Sequence, residues 1–161
     1  MQIRRAQEKD AERVLALLSQ VLELHAALRP DIFVSGTTKY SRAELLEIFR
    51  DDRRPVFVAV DENDSVVGYA FCVLESQPQS VNMIPFDSIY IDDLCVDAPF
   101  RGQGVASLLF ERVKEEATAR GCYEITLNVW EGNDAALAFY RKKGFAPEKT
   151  KMEFILPRDD K

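Results

Sequence analysis

Two adjacent carboxylates interrupt an apolar run in the middle of the chain. Asp92 and Asp93 lie in residues 89–94, where β-branched and aromatic residues predict a strand. Burial there would raise a carboxyl pKa toward the range useful for a general base, and a nearby cationic amine would hold the group ionised. Because successive strand residues face opposite sides, we expect only one of the two to point at a given pocket. A structural hydrogen-bonding role is an equal alternative for either residue.

A glycine-containing turn follows, and its sequence is Arg101-Gly102-Gln103-Gly104-Val105-Ala106. Where such a turn opens a helix, the first N–H groups have no helical partner and the helix dipole favours negative charge. The turn therefore predicts an anion site that suits a pyrophosphate, with Arg101 adding a cation. The third glycine of a dinucleotide fingerprint and the lysine of a triphosphate-binding loop are both missing. A plain strand-to-helix connection is the alternative.

Predicted strands and helices must position the acidic pair and the glycine-containing turn. Apolar periodicity and turn residues predict strands at 2–5, 55–60, 66–74, 89–96, 124–130 and around 151–156, and helices at about 10–28, 41–50, 103–120 and 133–144. Ser41 and Glu44 form a capping box, Gly121 ends the third helix, and Asn133 begins the fourth. Residues 77–86 read as an exposed loop. The order predicts an α/β fold with a mixed sheet and helices on its faces.

Composition narrows the class of protein. The 161 residues predict one domain, 1–161. The net charge of −6 disfavours nucleic-acid binding as a main role, because an acidic chain repels phosphate backbones, although this is also an ordinary charge for solubility. Three cysteines without paired spacing predict a reducing, cytoplasmic location and no metal site. No run is long and apolar enough for a membrane span, so we expect no membrane association.

The ordered motifs resemble one known family. These are Leu94-Cys95-Val96, Arg101-x-x-Gly104-x-Ala106, and Asn133-x-x-Ala136-x-x-Phe139-Tyr140-x-x-x-Gly144-Phe145. Together they resemble the GNAT family of N-acetyltransferases, in which many members carry glycine at the position of Ala106. The resemblance implies the GNAT fold, with a central, mostly antiparallel sheet that splays between the strands ending at Val96 and Trp130, and helices on both faces.

The resemblance also implies an acetyl-CoA site. The pyrophosphate would lie on the N–H groups of Gly102, Gln103, Gly104, Val105, Ala106 and Ser107, and the pantetheine would pair with the backbone of Leu94, Cys95 and Val96. Further cofactor contacts would come from Arg101, Asn128, Asn133, Ala136 and Phe139.

Catalytic roles follow from the same resemblance. Tyr140 would hydrogen-bond the CoA sulfur and protonate the leaving thiolate, since a phenol is protonated at neutral pH; the alternative is a packed core tyrosine. Asp92 would be the base, directly or through water, and Asp93, His25, Phe33 and Tyr40 would line the acceptor pocket. His25 could equally be a packing residue. Direct attack by an amine needs no acetylated Cys95.

The sequence therefore predicts an N-acetyltransferase that acts on a small cationic amine such as a polyamine, an amino sugar or an amino-acid amine. Acetylation of a protein N-terminus or lysine, and a non-catalytic acyl-CoA-binding regulator, are the alternatives. A homodimer is compatible with each of these, and residues 151–156 are the segment expected to pair with a second chain or with the protein's own sheet.

Overall fold

The computed structural model describes residues 1–77 and 80–159, which hold five strands and four α-helices. The elements are β1 (Gln2–Arg5), α1 (Ala11–Leu28), α2 (Arg42–Arg50), β2 (Val56–Val60), β3 (Val66–Ser76), β4 (Asp87–Val96), α3 (Val105–Ala119), β5 (Glu124–Leu127) and α4 (Asp134–Lys142). The chain divides into two compact units, Met1–Asn128 and Val129–Lys161. The first unit contains the whole sheet and α1 to α3, and the second contains α4.

The sheet is mixed, as predicted. Its strand order is β1-β2-β3-β4-β5, and every neighbouring pair is antiparallel except β4 and β5, which run parallel. β2 and β3 form a hairpin, and in the turn between them Asp61 accepts the N–H groups of Asn63 and Ser65. A mostly antiparallel sheet is therefore confirmed.

Helices cover both faces of the sheet, because alternate residues of β2 point to opposite sides. Val58 packs with Leu17 of α1 and Leu45 of α2 in one buried cluster. Phe57 faces the other way, where the guanidinium of Arg112 on α3 lies 4.5 Å from its ring centroid. The order of elements and the two covered faces thus agree with the predicted fold.

Gly68 allows α3 to approach the sheet closely. A Cβ at this position would lie 2.9 Å from the backbone oxygen of Cys95 and 3.3 Å from side-chain atoms of both Val105 and Leu109. Since the nearest of these atoms belongs to the backbone, a larger residue would force the strands or the helix apart. The glycine therefore helps to set the position of the N-terminal turn of α3.

The helix caps predicted from the sequence are present in the structure. Ser41 accepts the N–H of Glu44, and the Glu44 carboxylate accepts the N–H of Ser41, which completes the capping box of α2. Gly121 follows α3 with a φ of +69°, in the left-handed region that favours glycine. Asn133 caps α4 by accepting the N–H of Ala136.

Some predicted elements differ from the structure. The predicted strand at 151–156 is wrong: these residues form no strand, and Met152, Phe154 and Leu156 are exposed. β5 ends at Leu127 rather than at 130, and α3 begins at Val105 rather than at 103. Of the predicted loop 77–86, residues 78 and 79 lie outside the described part of the chain.

Within residues 1–77 and 80–159, no helix has both the length and the apolar character needed to cross a bilayer.

Candidate active site

A β-bulge places Asp92 out of step with the neighbouring strand. Phe71 of β3 pairs with Asp93 and Cys72 pairs with Ile91, so Asp92 is the extra residue on β4. A bulge redirects side chains and breaks the strict alternation of a strand. Asp92 binds the ammonium of Lys39, whereas Asp93 accepts a hydrogen bond from the hydroxyl of Tyr69. That only one of the two carboxyl groups faces the acceptor pocket stays a prediction.

Asp93 is held by a buried tyrosine. The Tyr69 hydroxyl donates to Oδ2 of Asp93 over 2.8 Å, and Tyr69 itself is fully buried. Burial raises the pKa of Asp93 to about 6, although the Tyr69 hydrogen bond and the Lys39 charge act to lower it. A carboxyl group with this pKa changes its protonation near neutral pH, which is the behaviour of a general base.

Asp92 forms an ion pair across a long sequence separation. Nζ of Lys39 donates to Oδ2 of Asp92 over 2.7 Å. The Lys39 side chain is 47% exposed and the Asp92 side chain is 26% exposed. Burial acts to lower the pKa of Lys39, but the hydrogen bond and charge of Asp92 outweigh it, so the net shift is upward. We refer to Lys39, Tyr69, Asp92 and Asp93 as the β4 cluster.

The predicted acceptor residues lie on the segment that supplies Lys39. This α1–α2 connection spans residues 29–41. His25 at the end of α1 packs against Phe33 with ring centroids 5.2 Å apart, and Tyr40 stacks on Phe71 at 6.0 Å. Burial lowers the pKa of His25, and the charge of Lys39 lowers it further, so the imidazole is neutral at pH 7.

Two side chains of α1 connect it to the end of β4. Asp97 is buried, and it accepts hydrogen bonds from Nε2 of Gln20 over 3.0 Å and from the guanidinium of Arg13. The N–H of Asp97 in turn donates to the carbonyl of Val67 on β3. These bonds fix the point where β4 leaves the sheet and enters the glycine turn.

The turn after β4 has open amides. The first helical bond of α3 runs from the N–H of Leu108 to the carbonyl of Gly104, so the N–H groups of Val105, Ala106 and Ser107 have no acceptor within the helix. Gly102 and Gly104 have φ values of +74° and +81°, and a Cβ at either position would meet no atom within 4 Å. Unpartnered amides at the start of a helix in open space fit an anionic group such as a pyrophosphate.

The predicted splay between β4 and β5 begins beside the acidic pair. The parallel pairing ends at Ile91 and Leu127, so along residues 92–96 the described part of β4 pairs only with β3. This leaves a free strand edge at Leu94, Cys95 and Val96, where the resemblance places pantetheine. One predicted contact is partly used internally, since Nε of Arg101 donates to the Val96 carbonyl over 3.1 Å.

Two other predicted residues of the first unit have internal partners. Nδ2 of Asn128 donates to the Tyr90 hydroxyl over 3.0 Å. The thiol of Cys95 is buried, and that burial raises its pKa to about 12. Cys95 is therefore protonated at neutral pH, which disfavours an acetylated cysteine intermediate.

The second unit carries the remaining predicted residues on α4. Asn133 caps this helix, and Ala136 supplies the N–H that it accepts. The Tyr140 ring contacts Phe139 at 5.2 Å and Phe145 at 5.4 Å between centroids, both edge to face. Tyr140 itself is half-buried.

Sequence reasoning missed Lys39 and Tyr69. Lys39 adjoins Tyr40, which was predicted to line the pocket, but no spacing rule connects a lysine to an aspartate 53 positions away. Tyr69 comes near Asp93 through the β3–β4 register, which pairs its second neighbour Phe71 with Asp93 and which the sequence alone does not give.

Comparison with known proteins places this geometry in context. The sequence profile of the acetyltransferase (GNAT) family matches residues 19–145. The chain is 29% identical to thialysine N-epsilon-acetyltransferase of Bos taurus over 161 residues, covering 94% of this chain and 86% of that protein. It is also 29% identical to the peptidyl-lysine N-acetyltransferase YjaB of Salmonella typhimurium, covering 89% and 81% of the two chains.

A solved structure is similar over almost the whole chain. A mutant of the BH1408 protein from Bacillus halodurans superposes with a TM-score of 0.93 at 34% identity, covering 98% of this chain and 100% of that one.

Proposed function

The chain belongs to the acetyltransferase (GNAT) family and is an acetyl-CoA-dependent N-acetyltransferase, and from this premise we propose that its acceptor is the primary amine of a small cationic molecule. The candidate acceptors are polyamines, amino sugars and amino-acid amines. One observation carries the proposal: a single strand, β4, presents the Asp92–Asp93 pair and leads directly into a turn of unpartnered amides. The acidic pair attracts a cationic amine, and the amides attract a pyrophosphate.

The residues of the first unit fit the cosubstrate. Acetyl-CoA, when bound, supplies an activated acetyl thioester. The N–H groups of residues 102–107 would hold its pyrophosphate, and the free edge of β4 at residues 94–96 would pair with its pantetheine. The positive end of the α3 dipole adds to the attraction for the anion. No metal is needed for this binding.

The two aspartates take different parts in our proposal. The family resemblance favours Asp92 as the base, but Asp92 already pairs with an ammonium group, which is the contact a substrate amine would make. Asp93 has a pKa of about 6 and is oriented by Tyr69, and these properties support Asp93 as the proton acceptor, directly or through water. Asp92 would then hold and orient the acceptor.

Tyr140 is proposed as the acid that protonates the leaving thiolate. The support is its position in the motif that begins at Asn133, whose side chain caps the helix that carries Tyr140. Attack by the neutral amine on the thioester forms the new C–N bond and breaks the C–S bond; the amine proton leaves through Asp93, and the Tyr140 hydroxyl supplies the thiol proton.

A lysine side chain of a protein is the second candidate acceptor, and it is favoured by the similarity to the peptidyl-lysine acetyltransferase. A non-catalytic acyl-CoA-binding regulator is disfavoured, because holding CoA does not need two carboxylates beside the turn. Burying the Asp93 carboxylate costs free energy, and a role in accepting the proton of the substrate amine would explain why the protein keeps it there.

Thiol release from acetyl-CoA tests the proposal. The purified chain would be given diamines, amino sugars, amino acids with side-chain amines and lysine peptides. We expect amine-dependent release with a small amine, strongly reduced in Asp92→Asn and Asp93→Asn and unchanged in Glu47→Gln, an exposed α2 carboxylate. CoA binding without release for any amine would favour the regulator.

The cysteines bear on the cellular location that we propose for the protein. Cys72, Cys95 and Cys122 are free thiols, and this supports a reducing, cytoplasmic setting.

We propose a homodimer in which residues 151–156 of each copy are covered by the other, since Met152 and Phe154 are 87% and 84% exposed. Light scattering of the wild type and a Met152→Ser/Phe154→Ser variant tests this, with a change from dimer to monomer expected. A wild-type monomer would contradict it.

A further inference from the structure

Lys39 occupies the position where a substrate ammonium would bind Asp92. Its Nζ lies 2.7 Å from Oδ2 of Asp92 and 5.4 Å from the centroid of the Tyr40 ring. A carboxylate and an aromatic face are the two partners that recognise an alkylammonium group. An acceptor amine that binds Asp92 must therefore displace Lys39 or share the carboxylate with it.

We propose that Lys39 is a specificity-determining residue which selects acceptors that carry a carboxylate beside their amines. The inference rests on the proposed function and narrows its acceptor class to zwitterionic amino acids. When the acceptor ammonium takes Asp92, the released Lys39 ammonium pairs with the acceptor carboxylate. A polyamine lacks that group and would place additional positive charge against Lys39.

The local charge count favours the zwitterion. Lys39 contributes one positive charge and Asp92 one negative charge, and the imidazole of His25 is neutral because burial and Lys39 lower its pKa. Asp93 carries the remaining charge and is only partly protonated near neutral pH. Lysine, with two ammonium groups and one carboxylate, balances this small net negative charge and supplies an anion for Lys39, whereas 1,5-diaminopentane brings two positive charges and no anion.

Lys39 is not needed to fix the backbone of the α1–α2 connection. Glu23 on α1 accepts hydrogen bonds from the Ser35 hydroxyl and from the N–H of Gly36, both over 2.6 Å. The Thr37 hydroxyl donates to the Val34 carbonyl over 2.7 Å. With these bonds in place and its own side chain 47% exposed, Lys39 can be replaced without loss of the fold.

Lysine and its decarboxylated form, 1,5-diaminopentane, provide the test, since they share the terminal amine and differ in the carboxylate. We expect the wild type to prefer lysine by at least about tenfold in kcat/KM, and Lys39→Met to abolish that preference through a higher KM for lysine and a lower KM for the diamine. Lys39→Arg should restore the preference, because it restores the cation. Calorimetric Kd values for the two compounds should follow the same order.

Arg42→Met is the matched control, because Arg42 is an exposed cation near the same connection that pairs with Glu12 rather than with the β4 cluster. It should leave the lysine preference unchanged. This inference is overturned if the wild type acetylates the diamine as well as lysine, or if Lys39→Met leaves the preference for lysine unchanged. Either outcome leaves the proposed function intact. Activity with other amines but neither of these two also overturns it. No amine-dependent release at all overturns the proposed function as well.

Discussion

Tyr69 donates its hydroxyl to Oδ2 of Asp93 over 2.8 Å, from a ring that is fully buried between the sheet and α1. The hydrogen bond acts against burial, which raises the pKa of Asp93, and the balance leaves that pKa at about 6. The pair thus sets the pH at which the carboxylate becomes available to accept a proton.

The acid limb of the pH profile should report Asp93. Activity requires the ionised carboxylate, so we expect kcat/KM to fall as the pH decreases through about 6. Tyr69→Phe removes a hydrogen bond that stabilises the ionised form and should move the limb upward by roughly one unit. Asp93→Asn should lower kcat by about 10²-fold or more and remove the limb.

Steady-state kinetics between pH 5 and 9, at saturating acetyl-CoA, provide the measurement. Tyr123→Phe is the control, because Tyr123 is 76% exposed and should leave the limb in place. A limb that moves with Asp92→Asn but not with Tyr69→Phe would assign the base to Asp92 instead.

The same pKa predicts a gain in stability on removing the charge. In the folded protein Asp93 holds its proton up to about pH 6, while an unfolded aspartate releases it near pH 4, so folding stability is lost as the pH rises through this window. Asn cannot ionise and can still accept the Tyr69 hydroxyl. Asp93→Asn should therefore raise the free energy of unfolding at pH 7.5 by up to about 3 kcal/mol, with a much smaller difference near pH 4.

Urea unfolding at the two pH values measures this effect, with Glu47→Gln as a control that should show no pH-dependent difference. Equal effects of Asp93→Asn at both pH values would mean that the carboxyl pKa is ordinary in the folded state.

Local signals predicted much of the fold. The Ser41–Glu44 capping box and Gly121 each act within a few residues, so the ends of α2 and α3 could be inferred from sequence neighbours. The glycine turn was also predictable, since its open amides follow from the start of a helix and not from distant contacts.

Long-range geometry was not predictable in the same way. The bulge at Asp92 depends on how β4 registers with β3, and Lys39 reaches it from a connection whose path is set by packing. Residues 151–156 have the apolar residues of a strand, but a strand also needs a partner with free hydrogen-bonding groups, and sequence does not supply that information. Pattern alone therefore could not fix these features.

The glycine turn should control cofactor affinity. Gly104 has a φ of +81°, and a Cβ at this position would have no atom within 4 Å, so alanine would meet backbone strain and no clash. That strain costs about 1–2 kcal/mol, and relief of it would turn the amides away from the pyrophosphate. We expect Gly104→Ala to weaken CoA binding by about tenfold or more, as measured by calorimetry.

Gly121→Ala is a matched control at the other end of α3. Gly121 has a φ of +69° and equally open surroundings, so the stability cost should be similar while CoA affinity stays unchanged. Equal losses of affinity in both variants would show a general effect on the helix.

Tyr140→Phe separates proton donation from packing. Phenylalanine keeps the ring contacts with Phe139 and Phe145, so the melting temperature should stay within about 2 °C, a shift that corresponds to about 0.5–1 kcal/mol. Loss of the hydroxyl should lower kcat by about 10²-fold with little change in the KM for acetyl-CoA, because the proton is needed only as the thiolate leaves. Stopped-flow thiol release and thermal unfolding measure the two effects. A variant with full turnover would leave Tyr140 as a packing residue and require another acid for the thiolate.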